Sequence, residues 1–408
     1  MSRVRRLLLG LLGGLFACSA VAQQLDRDSG EAFRVALVTA APGEIYWQRF
    51  GHNALLVENT VTGDARLYNF GIFDFEQENF LLNFVQGRML YRLAAFAPES
   101  DLANYAAEGR SVWIQELNLL PEQRYAVAEM LGQNALPENA EYRYDYFAVN
   151  CSTRLRDVLD AVLEGDLRRS MSVRARGETY RSLAATFAVP EPWMALGIDL
   201  GLGPAADRKL SFWDEMFLPL RLRDLLREVR VRDADGNLQP LVAREWTAYD
   251  GRLNDRLPER ERWFVAFALA GFIGALLLHL ALHQARRTAL RLIAAGTAAA
   301  TALALGLGGL LLAFLWAATD HAIAYANLNL VLFDPLCLLL AWPLWRSRQG
   351  QAGSQAARAI SALVLVVALA GLAWTTLPGT QQANAHWFAL ILPLHLLFAW
   401  RFWFAPAR

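Results

Sequence analysis

The sequence predicts an α+β domain followed by an all-α membrane domain of about five transmembrane helices. Of its 408 residues, 55% are hydrophobic, and the mean hydropathy of +0.22 is high for an ordinary soluble enzyme. The apolar excess is concentrated after residue 263, whereas the residues before 260 mix strand-like and helix-like patterns. The formal net charge is zero, so we expect no nucleic-acid partner.

These patterns divide the chain into a signal sequence at 1–22, a globular domain at 23–260 and a transmembrane domain at 261–408. The signal sequence combines N-terminal arginines, an apolar stretch and the small-residue cleavage site Ala20-Val21-Ala22. Leu15-Phe16-Ala17-Cys18 loosely resembles a lipobox, so lipidation of Cys18 stays open. An uncleaved N-terminal anchor also stays open.

The globular domain is expected to hold a short antiparallel sheet with helices packed on one face. Strands are predicted at 33–39, 53–58, 66–71, 89–96 and 111–117, and helices at 75–86, at 121–134 and from Cys151 to Gly165. Residues 227–248 predict a hairpin that turns at Asp235-Gly236. Residues 211–228 are apolar and aromatic. They either pack on the core or form an interfacial helix that contacts the bilayer and covers the site.

Five apolar runs follow, each near the length of about 20 residues that a bilayer requires. They lie at 263–282, 292–318, 327–345, 359–377 and 387–404. Arginines occur after the first and third runs and at the C-terminus, whereas the alternate loops contain no Lys or Arg. By the positive-inside rule, the globular domain lies outside the cytoplasm, which agrees with the signal sequence.

Polar residues interrupt this apolar region. His321, Asn327 and Asn329 lie at the outer side, where they either cap and solvate the chain or take part in function. Asp334-Pro335 falls inside the third run. A charge in that position predicts a partner or a water-filled cavity.

Cys151 is the only thiol of the globular domain, and His52 is its only histidine. A cysteine at a helix start is favoured as a thiolate by the helix dipole. The alternative is that Cys151 is an inert, buried cysteine. A nucleophilic cysteine needs a base and a third group that orients the base. His52 is the candidate base, and Asn69 on the neighbouring strand or Asp145 is the candidate orienting residue.

Histidines and cysteines are too few for a metal site, and no dinucleotide or phosphate motif occurs, so no cofactor is expected.

The order of histidine, orienting residue and helical cysteine resembles the circularly permuted papain-like group. That group includes NlpC-type peptidases and the lecithin:retinol acyltransferase family. Gly51-His52-Asn53-Ala54-Leu55-Leu56-Val57 resembles the strand that carries its histidine, and Asn150-Cys151 resembles its nucleophile motif. The resemblance implies a permuted papain-like fold for the globular domain.

A second resemblance covers nearly the whole chain and points to the Lnb family. Its motifs are Pro42-Gly43, Phe50-Gly51-His52, Tyr68-Asn69-Phe70-Gly71-Ile72-Phe73-Asp74-Phe75, Phe84-Val85-Gln86-Gly87, Asn150-Cys151-Ser152-Thr153-Arg154, Phe212-Trp213-Asp214, Asp320-His321 and Asn327-Leu328-Asn329. The resemblance implies that Cys151 is the nucleophile and His52 the base. Further residues in these motifs are our candidates for substrate binding: Tyr68, Asn150, Arg154, Trp213, His321, Asn327 and Asn329.

The resemblance also implies a lipoprotein N-acyltransferase of the bacterial inner (cytoplasmic) membrane with a periplasmic catalytic domain. The acyl donor would be a membrane phospholipid, and the acceptor would be the α-amino group of a diacylglyceryl-cysteine lipoprotein. A Cys151 thioester would carry the acyl chain between them. Two alternatives stay open: a papain-like peptidoglycan endopeptidase and a non-catalytic membrane scaffold or sensor.

Overall fold

A computed structural model describes residues 30–252, 263–284, 288–349, 353–377, 379 and 382–404. The predicted signal sequence, Cys18 and the 253–262 linker lie outside the described residues. The chain forms two compact units. Unit 1 comprises the described residues up to Glu178 and those from Lys209 to Arg252, and unit 2 comprises Thr179–Arg208 and the described residues from Trp263 onwards.

The centre of unit 1 is a seven-stranded antiparallel sheet with the strand order β6-β4-β3-β2-β1-β5-β9. Its strands are β1 (Phe33–Ala40), β2 (His52–Asn59), β3 (Ala65–Ile72), β4 (Leu90–Phe96), β5 (Val112–Leu117), β6 (Glu141–Arg143) and β9 (Val242–Tyr249). A separate hairpin pairs β7 (Arg230–Arg232) with β8 (Leu238–Pro240). All five predicted strands and the turn at Asp235-Gly236 are confirmed.

Ten α-helices whose two ends are both described lie before residue 252. They are α1 (Phe80–Gln86), α2 (Pro98–Ala107), α3 (Pro121–Asn134), α4 (Pro137–Ala140), α5 (Cys151–Val162), α6 (Asp166–Ser172), α7 (Tyr180–Ala188), α8 (Pro192–Gly201), α9 (Phe212–Glu215) and α10 (Pro219–Leu226). The helix predicted at 121–134 has those bounds, and the helix predicted at 75–86 begins only at Phe80. The mixed α+β class of unit 1 is confirmed.

Helices cover both faces of the sheet in unit 1. On one face, Leu37 and Leu55 pack with the apolar side of α5. On the other face, Ala36 and Ala54 pack with residues of α2. The prediction of helices on a single face is therefore wrong, because the alternating side chains of β1 and β2 are apolar on both sides.

Residues 211–228 belong to the core of unit 1. The large apolar side chains of this segment are buried, among them Phe212, Trp213 and Phe217. Since these side chains are covered by the protein itself, no apolar face remains for a bilayer. The packing alternative is correct for this segment, and the interfacial alternative is wrong.

Unit 2 contains four helices that are long and apolar enough to cross a membrane, among the residues described. They are α11 (Trp263–Gln284), α12 (Thr288–Ala317), α14 (Gln355–Thr375) and α15 (Ala385–Trp403), and α13 (Cys337–Arg346) lies between α12 and α14. Four of the five predicted spans are thus confirmed as helices of spanning length and apolar character.

The third predicted span, 327–345, is not a continuous helix. A short 3₁₀ turn at Leu328–Val331 precedes the ten-residue α13, which at about 1.5 Å per residue is too short to cross a bilayer. Asp334 and Pro335 separate the two pieces. The buried Asp334 side chain accepts a 2.9 Å hydrogen bond from the Leu336 backbone N–H, so its partner is the start of the helix.

Candidate active site

Cys151 is the first residue of α5, and Asn150 caps this helix. The Asn150 Oδ1 accepts from the Thr153 backbone N–H at 2.9 Å, and the Thr153 hydroxyl accepts from the Asn150 backbone N–H at 2.8 Å. The Asn150 Nδ2 donates to the carbonyls of Tyr146 and Phe217. Both ends of the buried amide have protein partners, so Asn150 fixes the start of the helix that carries Cys151. Its binding of a substrate stays a prediction.

His52 begins β2, and its imidazole lies between Asn69 and Cys151. The distance from His52 Nε2 to Asn69 Oδ1 is 2.9 Å, and the imidazole also hydrogen-bonds the Cys151 side chain. Because Nε2 lies against Asn69, we assign Nδ1 as the ring nitrogen that interacts with the thiol. The candidate base, nucleophile and orienting residue therefore meet at one end of the sheet.

The orientation of the Asn69 amide determines where the proton of His52 lies. Asn69 Nδ2 donates to Asp101 Oδ2 at 2.7 Å and to the Leu67 carbonyl at 3.1 Å. These two acceptors require the amide nitrogen, so the amide oxygen faces His52 and accepts from Nε2–H. The neutral imidazole then has an unprotonated Nδ1 towards Cys151, which is the state a general base needs.

Gly71 lies beside the first residue of α5, at a point where the backbone has a positive φ. The β2–β3 register pairs Leu55 with Tyr68, and its continuation would place Gly71 opposite His52. Gly71 has φ +93°, and a Cβ at this position would lie 3.5 Å from the Cβ of Cys151. A register shift between Asn69 and Ile72 marks an irregularity in the β3–β4 pairing here, a common device for redirecting side chains near active sites.

The thiol and the imidazole favour each other's charged forms. Burial disfavours the thiolate, but the His52 charge, its hydrogen bond and the Asn53 backbone N–H outweigh burial and lower the pKa of Cys151. Burial also disfavours the imidazolium, yet the attraction and hydrogen bond of Cys151, together with Asn69, raise the pKa of His52. The pair is suited to a thiolate nucleophile beside a protonated base.

A buried chain of hydrogen bonds fixes α5 against the sheet beside this pair. The Ser152 hydroxyl donates to Asn53 Oδ1 at 2.8 Å, and Asn53 Nδ2 donates to the Thr39 hydroxyl at 2.8 Å. All three residues are fully buried. Because they join the first turn of α5 to β2 and β1, they hold Cys151 at a constant distance from His52.

Tyr142 on β6 presents a buried hydroxyl to the same place. Its oxygen would lie 4.0 Å from a Cβ at Gly71, and the Gly71 backbone is its hydrogen-bonding neighbour. Burial and the Cys151 charge raise the pKa of Tyr142, so the hydroxyl keeps its proton. The Arg154 guanidinium stacks over this ring, 5.3 Å from its centroid, and its binding of a substrate stays a prediction.

Three other residues that the sequence singled out pack or form hydrogen bonds within unit 1. Trp213 is buried beneath the Arg156 guanidinium, 3.8 Å from its ring centroid. Tyr68 packs against the core. Asp145, the alternative orienting residue, instead accepts from the backbone N–H groups of Phe147 and Ala148 at 2.8 Å. Asn69, not Asp145, contacts His52.

His321, Asn327 and Asn329 belong to unit 2. Asn327 and Asn329 donate to the same carbonyl, that of Leu200 at the end of α8, at 2.8 and 3.0 Å. Their side-chain oxygens accept from Gln382 and Asn384 respectively. The two asparagines thus tie residues 179–208 to the helices of unit 2, and their binding of a substrate stays a prediction, as it does for His321.

Sequence reasoning did not identify Asp101, Tyr142 or Gly71 as site residues. Pro98 followed by acidic residues is a helix-start signal that could have located α2 and hence Asp101. No local pattern indicates Tyr142, because β6 is three residues long and reaches the site only through sheet pairing. Among the described residues, no group of three His, Cys, Asp or Glu side chains could hold a metal ion.

Comparison with known families gave two matches that together cover most of the chain. The family model of the Lnb N-terminal periplasmic domain matches residues 22–186. The family model of the Lnb transmembrane domain matches residues 271–406. No curated protein and no solved structure matched the chain. The protein is therefore a membrane protein with a periplasmic N-terminal domain, and it belongs to the Lnb family.

Proposed function

We propose that the protein is a lipoprotein N-acyltransferase that moves an acyl chain from a membrane phospholipid to a diacylated lipoprotein. The observation that carries the proposal is the hydrogen-bonded series Cys151–His52–Asn69 in the periplasmic domain of an Lnb-family membrane protein. A thiol of this kind forms thioesters. Fusion to membrane-spanning helices suits substrates that both reside in a bilayer.

The proposal includes a permuted papain-like architecture for unit 1. Histidine on β2, the orienting residue on β3 and the nucleophile at the start of α5 follow the order of that group. The function also implies residence in the inner membrane of a bacterium. The distribution of arginines between the loops supports this orientation.

In the first half-reaction, His52 Nδ1 takes the thiol proton, and the Cys151 sulfur attacks the carbonyl carbon of a phospholipid ester. The tetrahedral intermediate collapses with cleavage of the bond between the carbonyl carbon and the glycerol oxygen. His52 returns its proton to that oxygen, and a lysophospholipid leaves. The acyl chain is then held on Cys151 as a thioester.

In the second half-reaction, the α-amino group of the lipoprotein attacks the thioester carbonyl. His52 takes a proton from the attacking nitrogen, the carbon–sulfur bond breaks, and an amide forms while Cys151 regains its proton through His52. The Cys151 backbone N–H at the start of α5 and the Tyr142 hydroxyl are the donors that we assign to the oxyanion of both intermediates.

Mass spectrometry of a lipoprotein N-terminus tests this function. A bacterial host depleted of its own N-acyltransferase should recover N-acylated lipoprotein when this chain is expressed. Cys151→Ala and His52→Ala should abolish the recovery while the protein still reaches the membrane. If the chain instead trims peptidoglycan and leaves lipoproteins unacylated, the endopeptidase alternative replaces this proposal.

A further inference from the structure

Helix α1 and the neighbouring 3₁₀ turn at Tyr46–Gln48 form an exposed apolar surface on unit 1. We call it the α1 surface and define it by five side chains that are between 41% and 72% exposed: Trp47, Phe75, Leu81, Leu82 and Val85. Trp47 and Phe75 are in edge contact at 5.8 Å, and Phe75 contacts Phe80 of α1 at 5.1 Å. The surface is therefore one continuous patch.

The composition of α1 differs from that of an ordinary surface helix. Its sequence, Phe80-Leu81-Leu82-Asn83-Phe84-Val85-Gln86, has no charged residue, and none of its residues is buried. A helix in a soluble domain normally covers its apolar side with the core. Contiguous exposed apolar patches of this kind mark sites of interaction with a membrane, a protein or a ligand.

Aromatic contacts lead from the α1 surface to the nucleophile. Phe75 contacts Phe73 at 5.0 Å, Phe73 contacts Tyr91 at 5.1 Å, and Tyr91 contacts Tyr144 at 4.3 Å. The Tyr144 ring lies 4.0 Å from the position of a Cβ on Gly71, which is itself 3.5 Å from the Cβ of Cys151. Apolar side chains thus connect the exposed patch with the thiol.

We propose that the α1 surface inserts into the phospholipid leaflet and admits the donor acyl chain along these aromatic side chains to Cys151. This inference rests on the proposed function, because only a lipid donor requires such a route. Trp and Tyr rings with exposed leucines are typical of interfacial insertion.

The charges around the α1 surface indicate how it attaches. Arg88 and Arg143 lie at the C-terminal end of α1, where Arg143 donates to the Gly87 carbonyl at 3.4 Å. Glu76 and Glu78 precede α1 in the chain and are exposed. Because both signs of charge border the patch, attachment depends on apolar insertion, and it should change little with salt or with the fraction of anionic lipid.

Fluorescence quenching of the full chain in phospholipid vesicles tests this insertion. The variant Leu82→Cys, in a Cys151→Ser background, carries an environment-sensitive dye. We expect nitroxide-labelled phospholipid chains to remove most of its fluorescence and aqueous iodide to remove little. The matched control is Val61→Cys on the β2–β3 turn, which is 80% exposed and should be quenched mainly by iodide.

Each other result overturns the proposal. Equal quenching of both dyes by iodide would mean that the α1 surface stays in water. Protection of the Leu82 dye from iodide without quenching by labelled lipid would mean that a second copy of the chain covers it. Because the quenching measurement needs no catalysis, it tests the membrane contact of the α1 surface even if the protein is not an acyltransferase.

An activity measurement separates the two proposals. The double variant Leu81→Asn, Leu82→Asn should lose most acylation of Cys151 from vesicle phospholipid but keep the wild-type rate of alkylation by iodoacetamide. Wild-type acylation in this variant would overturn the role of the α1 surface. If labelled lipid quenches the Leu82 dye but the protein never forms a thioester, the proposed acyltransferase function is wrong and the proposed membrane contact is retained.

Discussion

Asn69 determines which ring nitrogen of His52 carries the proton. Asn69 accepts from His52 Nε2–H because its amide nitrogen is held by Asp101 and the Leu67 carbonyl. This arrangement fixes the tautomer in which Nδ1 can accept the thiol proton. Asp101 therefore acts on the site through Asn69, as a positioning residue.

Replacement of Asn69 tests this chain of hydrogen bonds. Asn69→Ala should slow thioester formation by about 10²-fold, within the range for a misplaced general base, and should leave the fold intact. Asp101→Asn is the matched control, since an amide oxygen can still accept from Asn69 Nδ2, so its effect should be much smaller. Equal rates of thioester formation in Asn69→Ala and the wild type would show that Asn69 does not orient His52.

The pH dependence of Cys151 alkylation tests the coupling between thiol and imidazole. A lowered Cys151 pKa means that the thiolate persists to lower pH than in an ordinary cysteine. His52→Ala removes the charge and hydrogen bond that lower this pKa and leaves burial, which raises it. The alkylation profile of His52→Ala should therefore move to higher pH, and an unchanged profile would show that His52 does not stabilise the thiolate.

The sequence identifies Cys151 and His52 because each is the only residue of its type in the globular domain. It also identifies Asn69 as a candidate, since the predicted pairing of adjacent strands places Asn69 near the histidine. It does not indicate Asp101 or Tyr142, whose contacts arise from packing of α2 and from the β4–β6 pairing. Such long-range contacts leave no periodic signal in the chain.

At the level of elements, Gly71 lies where the sheet meets the start of α5, and its backbone has a positive φ. Gly71→Ala would introduce backbone strain of about 1–2 kcal/mol together with a methyl group 3.5 Å from the Cys151 Cβ. We expect a loss of free energy of unfolding and a several-fold slower alkylation of Cys151.

Gly63→Ala is a matched control for this effect. Gly63 also has a positive φ, +76°, but nothing lies within 4 Å of its Cβ position. It should therefore show a similar loss of stability by denaturant unfolding without any change in alkylation. If both variants react at the wild-type rate, Gly71 has no special role in access to the thiol.

The third apolar run shows where periodicity misleads. Its composition is suitable for a membrane span, yet Asp334 and Pro335 interrupt the helix. Pro335 lacks a backbone N–H, and the Asp334 carboxylate caps the turn that follows. The charge was visible in the sequence, but the sequence did not show that its partner would be the backbone of the next helix.

For the molecule as a whole, residues 179–208 associate with the helices of unit 2 although the sequence assigns them to the globular domain. Asp199 of α8 accepts from His386 at 2.6 Å and from Trp387 at 2.7 Å. Hydropathy cannot reveal this association, because it is carried by buried polar contacts and by the packing of Leu196 and Leu200, and not by a long apolar run.

The combination of a thiol domain with membrane helices leads to the proposal that Cys151 carries an acyl chain taken from phospholipid. The most direct measurement is intact-mass analysis of the full chain in phospholipid vesicles without a lipoprotein acceptor. We expect an added fatty-acyl mass that maps to Cys151, is released by hydroxylamine and is absent in His52→Ala. An unmodified Cys151, or an acyl mass that persists in Cys151→Ala, would contradict the claim.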